Sequence, residues 1–422
     1  MRSVLIKNGF VVLENKTEKK DILVIDGIIS RVEKEIFEDA DDIIDAKGKF
    51  VMPGLVDMHC HLREPGGEHK ETIETGSFAA LKGGFTSIAC MPNTSPVIDN
   101  AVVTKYVKIR AEESDNAKVF PIGAITKGQK GEELAEIEKM LEAGIVAISD
   151  DGTWVPDGGI MRSALEYSKT FGVLVISHSE DKTISAGGVV NEGINSTVAG
   201  LRGINRAAEE VAVARDIILA ESLGTRIHIA HVSTAGSVEL VREAKQRGVK
   251  VTCETCPHYF SATDEEILSY NTNAKINPPL REDSDVDAIV EGIKDGTIDV
   301  IATDHAPHSF NEKNREFDVA PFGTIGLETA LPLAYTFLVD RGCIELHELV
   351  RLMSYNPAKI LGIAGGEIKP GSIGDIAVFD PDIVWTVNAN DLASKSKNTL
   401  FDGWQLTGKV TAVMVDGVIK RI

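Results

Sequence analysis

Eight short, continuous apolar runs punctuate the middle of the chain, at residues 55–59, 86–91, 118–122, 145–149, 173–177, 226–230, 250–253 and 299–302. A run that is apolar without alternation reads as a parallel strand covered on both faces. The stretches between them carry apolar residues at helical spacing with charge on the opposite side, as at 132–143, 158–170, 207–222 and 237–246. Eight strand-then-helix units are the number that closes a (β/α)8 TIM barrel, so an α/β barrel is expected over residues 53–365. Two longer insertions interrupt the pattern, at 181–206 and 308–322. The second holds Asn311-Glu312-Lys313-Asn314-Arg315-Glu316, too polar to pack, and predicts a mobile lid, with an idle surface loop as the alternative.

The two ends of the chain behave differently. Residues 4–6, 10–13, 21–25, 27–32 and 42–46 alternate like antiparallel strands separated by turn formers such as Asp26-Gly27, and 375–379, 385–387 and 410–415 repeat the pattern. Neither end suffices alone, so 1–52 and 366–422 are predicted to share one small composite β-sandwich domain.

A formal net charge of −20 argues against nucleic acid and anionic membranes as partners. No apolar run reaches the roughly 20 residues that span a bilayer. Cys60, Cys90, Cys253, Cys256 and Cys343 are few and scattered, which fits a reducing cytoplasm. Cys253-x-x-Cys256 lacks the second pair a zinc ribbon needs.

In such a barrel, catalytic residues sit at the C-terminal strand ends. Strand one ends in His59-Cys60-His61, whose alternation aims both imidazoles one way and Cys60 the other. Strand two ends near Asn93, strand four in Asp150-Asp151-Gly152, strand five in His178, strand six in His231, and strand eight in Thr303-Asp304-His305-Ala306-Pro307-His308. Each has an ordinary structural reading by itself. Their common topological position, in a chain with 10 histidines, points to a site. His69, His228, His258 and His347 fall outside the pattern and read as structural. Four histidines and two aspartates exceed what one open tetrahedral zinc needs, and two ions would use them well. His59 and His61 with Asp304 could hold one, His178 and His231 the other, with Asp151 bridging and Asp150 as the alternative bridge. Nitrogen and oxygen donors without thiolate favour zinc. Coordination would lower the pKa of water from about 15.7 to around 7, giving a nucleophile whose proton Asp304 could shuttle.

The strings Asp57-x-His59-x-His61-Leu62-Arg63-x-Pro65-Gly66 and Ala302-Thr303-Asp304-His305-Ala306-Pro307-His308 resemble the two signatures of the dihydroorotase family, in the cyclic amidohydrolase branch of the amidohydrolase superfamily. The resemblance spans nearly the whole chain, and both strings are specific. It implies reversible, zinc-dependent closure of N-carbamoyl-L-aspartate to L-dihydroorotate, in pyrimidine biosynthesis. It also implies that Arg63, Asn93 and His308 hold the substrate carboxylate, that Asn277 and the backbone at Phe322-Gly323 hold the ring edge, and that His61 and Leu62 lie against the substrate. A homodimer and association with aspartate carbamoyltransferase are further expectations of this kind. One departure matters: strand four ends without the lysine that much of the superfamily carboxylates as a bridge, so Asp151 matches a subgroup that uses aspartate. Two rival readings follow. Hydantoinase, dihydropyrimidinase and allantoinase act on substrates without that carboxylate and have less reason for Arg63. A non-catalytic scaffold for the carbamoyltransferase need not keep six ligands.

Overall fold

The computed structural model describes residues 2–422, so residue 1 of the expected N-terminal segment lies outside the described residues. The eight central runs all form strands: β6 (Leu55–Cys60), β7 (Phe85–Cys90), β8 (Lys118–Pro121), β9 (Ala147–Ser149), β10 (Leu174–Ser177), β13 (Ile227–Ile229), β14 (Val251–Thr255) and β15 (Val300–Ile301). They pair in parallel as a three-stranded sheet β6-β7-β8 and a five-stranded sheet β15-β14-β13-β10-β9. Two isolated bridges, Gly123 with Ile148 and Cys60 with His305, join the two sheets into a closed ring. Inside the ring Met58, Ala89, Ile122, Ala147, Ile176, Ala230, Val300 and Ala302 pack together. Outside it, residues such as Ile88, Val175, Ile229 and Ile301 meet the helices. Burying a Val, Leu or Ile side chain contributes about 1.5–3 kcal/mol, so both faces must be apolar, and period-two alternation is lost.

The helices follow the amphipathic stretches, with caps that explain their limits. Gly158–Phe171 starts on Asp157, whose carboxylate accepts from the amides of Gly159 and Ile160, and it ends at Gly172 in the left-handed region. The helix expected from residue 132 begins only at Ile137. Its first residues are taken by the chain beside them: Lys127 N–H donates to the Glu133 carbonyl and Ala135 N–H to that of Ile125. Backbone groups committed to that pairing cannot also serve a helix.

Both ends of the chain meet in one eight-stranded sheet. Strands β1 (Ser3–Leu13), β2 (Lys16–Ile25), β3 (Ile28–Glu33), β4 (Asp42–Asp45) and β5 (Phe50–Pro53) come from the N-terminal side. Strands β16 (Ile376–Thr386), β17 (Gln405–Val415) and β18 (Val418–Lys420) come from the C-terminal side. The seam is the antiparallel pairing of β16 with β5. The two short strands expected at 4–6 and 10–13 form one strand, bent at a bulge where Asn8 takes φ 65°. That bend lets β1 pair β4 with its first half and β5 with its second, wrapping the sheet around Val4, Ile6, Val11, Ile22, Val51 and Ile376. A small parallel pair, β11 (Val190–Asn191) with β12 (Gly203–Ile204), organises the first insertion. Among the described residues no helix is long and apolar enough to cross a membrane.

Candidate active site at the barrel mouth

The two resembling strings are neighbours across the closing seam of the ring. Asp57 on β6 is fully buried and accepts from the Thr303 amide at 3.0 Å and the Thr303 hydroxyl at 2.5 Å. His61 N–H donates to the His305 carbonyl at 2.8 Å. This zipper sets Arg63 against the second string, its Nε on the Pro307 carbonyl at 3.1 Å and its Nη2 3.3 Å from His308 Nε2. His305 turns away from the mouth and serves as an anchor, accepting from the Gly326 amide at 3.1 Å and facing Glu71 at 3.4 Å.

Asp151 sits at the centre. Its Oδ1 lies 3.3 Å from His59 Nε2, 3.2 Å from His178 Nδ1 and 3.6 Å from His231 Nε2, and its Oδ2 lies 3.4 Å from His61 Nε2. Donor atoms of His59, His61 and Asp151 lie within 4.8 Å of one another, as do those of Asp151, His178 and His231. Asp304 Oδ1 stands 3.2 Å from His61 Nε2 and 3.6 Å from His59 Nε2. Asp150 turns the other way, accepting from the Ile125 amide at 2.8 Å and from Thr126, so the structure favours Asp151 over Asp150 as the shared ligand. The buried thiols of Cys253 and Cys256 belong to neither group; Cys253 Sγ lies 3.4 Å from the Thr297 carbonyl.

These atoms fit a cation. The His59 Nε2 atom is buried and finds no hydrogen-bond partner, although two carboxylates flank it. Burial opposes charge on His59, but Asp151 and Glu254 outweigh it and lift its pKa well above the ordinary value. Burial also opposes ionisation of Asp151 and Asp304, and the facing histidines reverse that, holding both carboxylates below their usual range. A centre that attracts a proton this strongly attracts a metal ion for the same electrostatic reason.

The mouth opens into a cavity of about 530 Å³ lined by His61, Arg63, Asn93, Asp151, His178, Glu180, His231, Asn277, Asp304, His308, Phe322 and Gly323. Leu62 is the exception among the expected contacts. Its side chain is 2% exposed and packs in the core against the helix Ile73–Lys82, so it has no face toward the cavity. Asn93 is oriented by His61, whose Nδ1 lies 2.8 Å from its Oδ1, and Asn277 donates to Glu180 at 2.9 Å. Gly323, at φ +136°, brings its backbone to the rim, and a Cβ there would lie 2.8 Å from the Ala306 carbonyl oxygen. Arg63, His231 and Asp304 also hold positive φ, at 62°, 34° and 45°. Such strain, of order 1–3 kcal/mol each, gathers where geometry serves chemistry.

At the Arg63 end of the cavity, burial and the charges of Arg63 and Lys70 push the His308 pKa down to about 2, so its ring is neutral. Lys70 Nζ lies 3.4 Å from His308 Nδ1 on the side away from Arg63. One lone pair cannot satisfy two cations; Lys70 has Glu312 Oε1 at 2.9 Å, which leaves Arg63 as the cation of this corner with no carboxylate partner among the described residues. Lys70, Glu180 and Glu254 were not legible as site residues. Glu180 follows His178 by two and Glu254 follows Thr252 by two, spacings that place each on one face with that partner.

The 308–322 segment is less free than its polarity predicts. It forms a helical turn, Phe310–Lys313, and Lys313 is buried with its ammonium on the carbonyls of Thr272 at 2.8 Å and Pro321 at 2.9 Å. Lys275 does the same for Phe317 and Asp318. Removing a buried partner costs about 1–3 kcal/mol, so Lys313→Met should speed amide exchange across 309–323 by about 5- to 150-fold. Unchanged exchange by mass spectrometry would show that the ammonium does not anchor this segment.

A closed parallel barrel with a His/Asp cluster at its mouth and a sheet built from both termini defines the cyclic amidohydrolase class. Its solved relatives include the L-hydantoinase (dihydropyrimidinase) of Arthrobacter aurescens, at TM-score 0.89 and 29% identity, covering 99% of this chain and 96% of that one. The dihydropyrimidinase of Brevibacillus agri superposes at TM-score 0.85 with 25% identity, covering 99% and 94%. A family model described as dihydro-orotase-like matches residues 48–237. The dihydroorotase of Acetivibrio thermocellus is 57% identical, covering 98% of both chains, and that of Pelotomaculum thermopropionicum is 55% identical, covering 98% and 97%. The chain belongs to the dihydroorotase family.

Proposed function

We propose that this chain catalyses the reversible closure of N-carbamoyl-L-aspartate to L-dihydroorotate, the ring-forming step of pyrimidine synthesis, with two zinc ions at the barrel mouth. The observation that carries the choice of substrate is Arg63 beside His308, facing the cavity that also holds the His/Asp cluster. The fold is shared with hydantoinases, whereas a half-buried guanidinium at the rim suits a substrate with a free carboxylate. Burial brings the Arg63 pKa down to about 10, still charged at neutral pH.

His59, His61 and Asp304 would hold one ion and His178 and His231 the other, with Asp151 shared between them. When bound, the ions would polarise the reacting carbonyl oxygen and ease ionisation of water in the cavity. Arg63, Asn93 and the neutral His308 bind the α-carboxylate, and Asn277 with the Phe322-Gly323 backbone positions the ureido edge. In ring closure the ureido nitrogen bonds to the β-carboxyl carbon. Asp304 takes the proton that this nitrogen sheds and passes it to the departing oxygen, which takes a second proton from solvent and leaves as water. Ring opening runs in reverse, with Asp304 receiving a proton from water and delivering it to the leaving ring nitrogen.

Assays of ring closure and opening on dihydroorotate and hydantoin side by side test the reading; preference for hydantoin would overturn it. Protein prepared without chelator should carry about two metal ions per chain by elemental analysis, and a ratio of one would sink the binuclear version alone. The proposal includes a cytoplasmic homodimer able to associate with aspartate carbamoyltransferase, tested by sedimentation with and without that enzyme. Catalytic activity of the isolated chain would exclude the scaffold reading. Residues 53–365 are taken as the catalytic unit, with 1–52 and 366–422 as its β-domain.

A further inference from the structure

We propose that Glu254 is a positioning residue of this centre: backed by His228 and Thr252, it holds His59 so that Nε2 would offer its lone pair to the metal ion held with His61. The inference rests on the metal reading above and concerns residues outside the ligand set.

It begins with the pattern of β14. Val251 and Cys253 pack outward against the helices, so Thr252 and Glu254 turn to the interior face. Neighbouring strands fill that interior with apolar groups such as Ile176, Ala230 and Val300. A carboxylate in such surroundings is costly unless it is fully partnered. Glu254, with no exposed surface, has two partners: Oε1 lies 2.5 Å from His59 Nδ1 and Oε2 lies 3.3 Å from His228 Nε2.

The protons can then be assigned. An ionised carboxylate only accepts, so both facing nitrogens carry hydrogen. His228 Nδ1 is left to accept from the Thr252 hydroxyl 2.8 Å away, and these two residues are register partners between β13 and β14. With Nδ1 turned to Glu254, His59 aims Nε2 at the cluster, where it is the buried atom without a hydrogen-bond partner between Asp151 and Asp304 and, once a cation replaces its proton, the atom that offers a lone pair. His178 is served differently. Its carboxylate, Glu180, at 3.3 Å, lines the cavity and is shared with Lys182 and Asn277. Glu254 has no such second duty, so the orientation of His59 is fixed by the barrel, whereas that of His178 depends on a carboxylate that what enters the cavity can reach.

The test is titration of the metal-free protein with zinc against a chromophoric chelator. Glu254→Gln should weaken the tighter zinc by about 10- to 100-fold, and Glu254→Asp should recover part of the loss. At saturating zinc, KM for carbamoyl-aspartate should stay unchanged, because Glu254 does not reach the cavity. Equal zinc affinity in a folded Glu254→Gln protein overturns the inference. Should that variant not fold, nitrogen-15 histidine spectra of the zinc-loaded wild type decide: a protonated Nδ1 on His59, assigned by its loss in His59→Asn, supports the inference, and the opposite tautomer overturns it. A wild type that binds no zinc overturns the metal reading itself, which separates the two failures.

Discussion

Asp304→Asn is expected to lower kcat by about 10²–10⁴-fold in both directions of the reaction while KM changes little, the range that loss of a general acid–base group produces. The substitution keeps the shape and the contact with His61 at 3.2 Å but removes the site at which a proton can rest. Asp304 lines the cavity on a strained backbone, and its neighbour Thr303 is locked to Asp57, so the amide should stand where the carboxylate stood. Because Asp304 is also a proposed ligand, zinc content must be measured alongside. Lost turnover with about two zinc ions retained assigns the effect to proton transfer. Retained turnover would remove Asp304 from that role.

Arg63→Ala should lower kcat/KM for carbamoyl-aspartate by about 30- to 5,000-fold, mostly through KM. Leaving a buried charge unpaired costs about 2–5 kcal/mol, and here the orphan would be the substrate carboxylate. Zinc content should be unchanged, since Arg63 contacts Pro307 and His308 and no candidate ligand. Arg63→Lys should rescue poorly, because an ammonium cannot keep the Pro307 carbonyl and also pair a carboxylate through two parallel bonds. Wild-type kinetics in the alanine variant would refute the carboxylate role and reopen the hydantoinase reading.

Much of this was legible because a barrel collects its strand ends in one place. His59, His61, Asp151, His178, His231 and Asp304 are distant in sequence and stand together here, since each ends a run that had to be a strand. The groups behind them were harder to read. Glu254 sits inside the Cys253-x-x-Cys256 string, where the cysteines draw attention and the carboxylate does not. His228, set aside as structural, braces that carboxylate. Such partners carry no motif, because their task depends on which strand lies opposite. Leu62 stands in the same motif, but its side chain turns away from the cavity onto the helix Ile73–Lys82. The start of the helix at residue 137 could not be read either, since the competing pairing with 125–127 is a tertiary contact.

Asn398 donates from Nδ2 to the carbonyls of Ala306 and Gly323, each at 3.1 Å, and its Oδ1 accepts from the His308 amide at 2.9 Å. The rim at His308 and Gly323 therefore waits for a residue made well after Asp304, the last of the candidate ligands in sequence. During synthesis the candidate ligands up to residue 304 can assemble before the segment that sets His308 and Gly323 is made. The order of synthesis thus separates the His/Asp cluster from the rim that Asn398 clasps: the first can form before the second has its clasp.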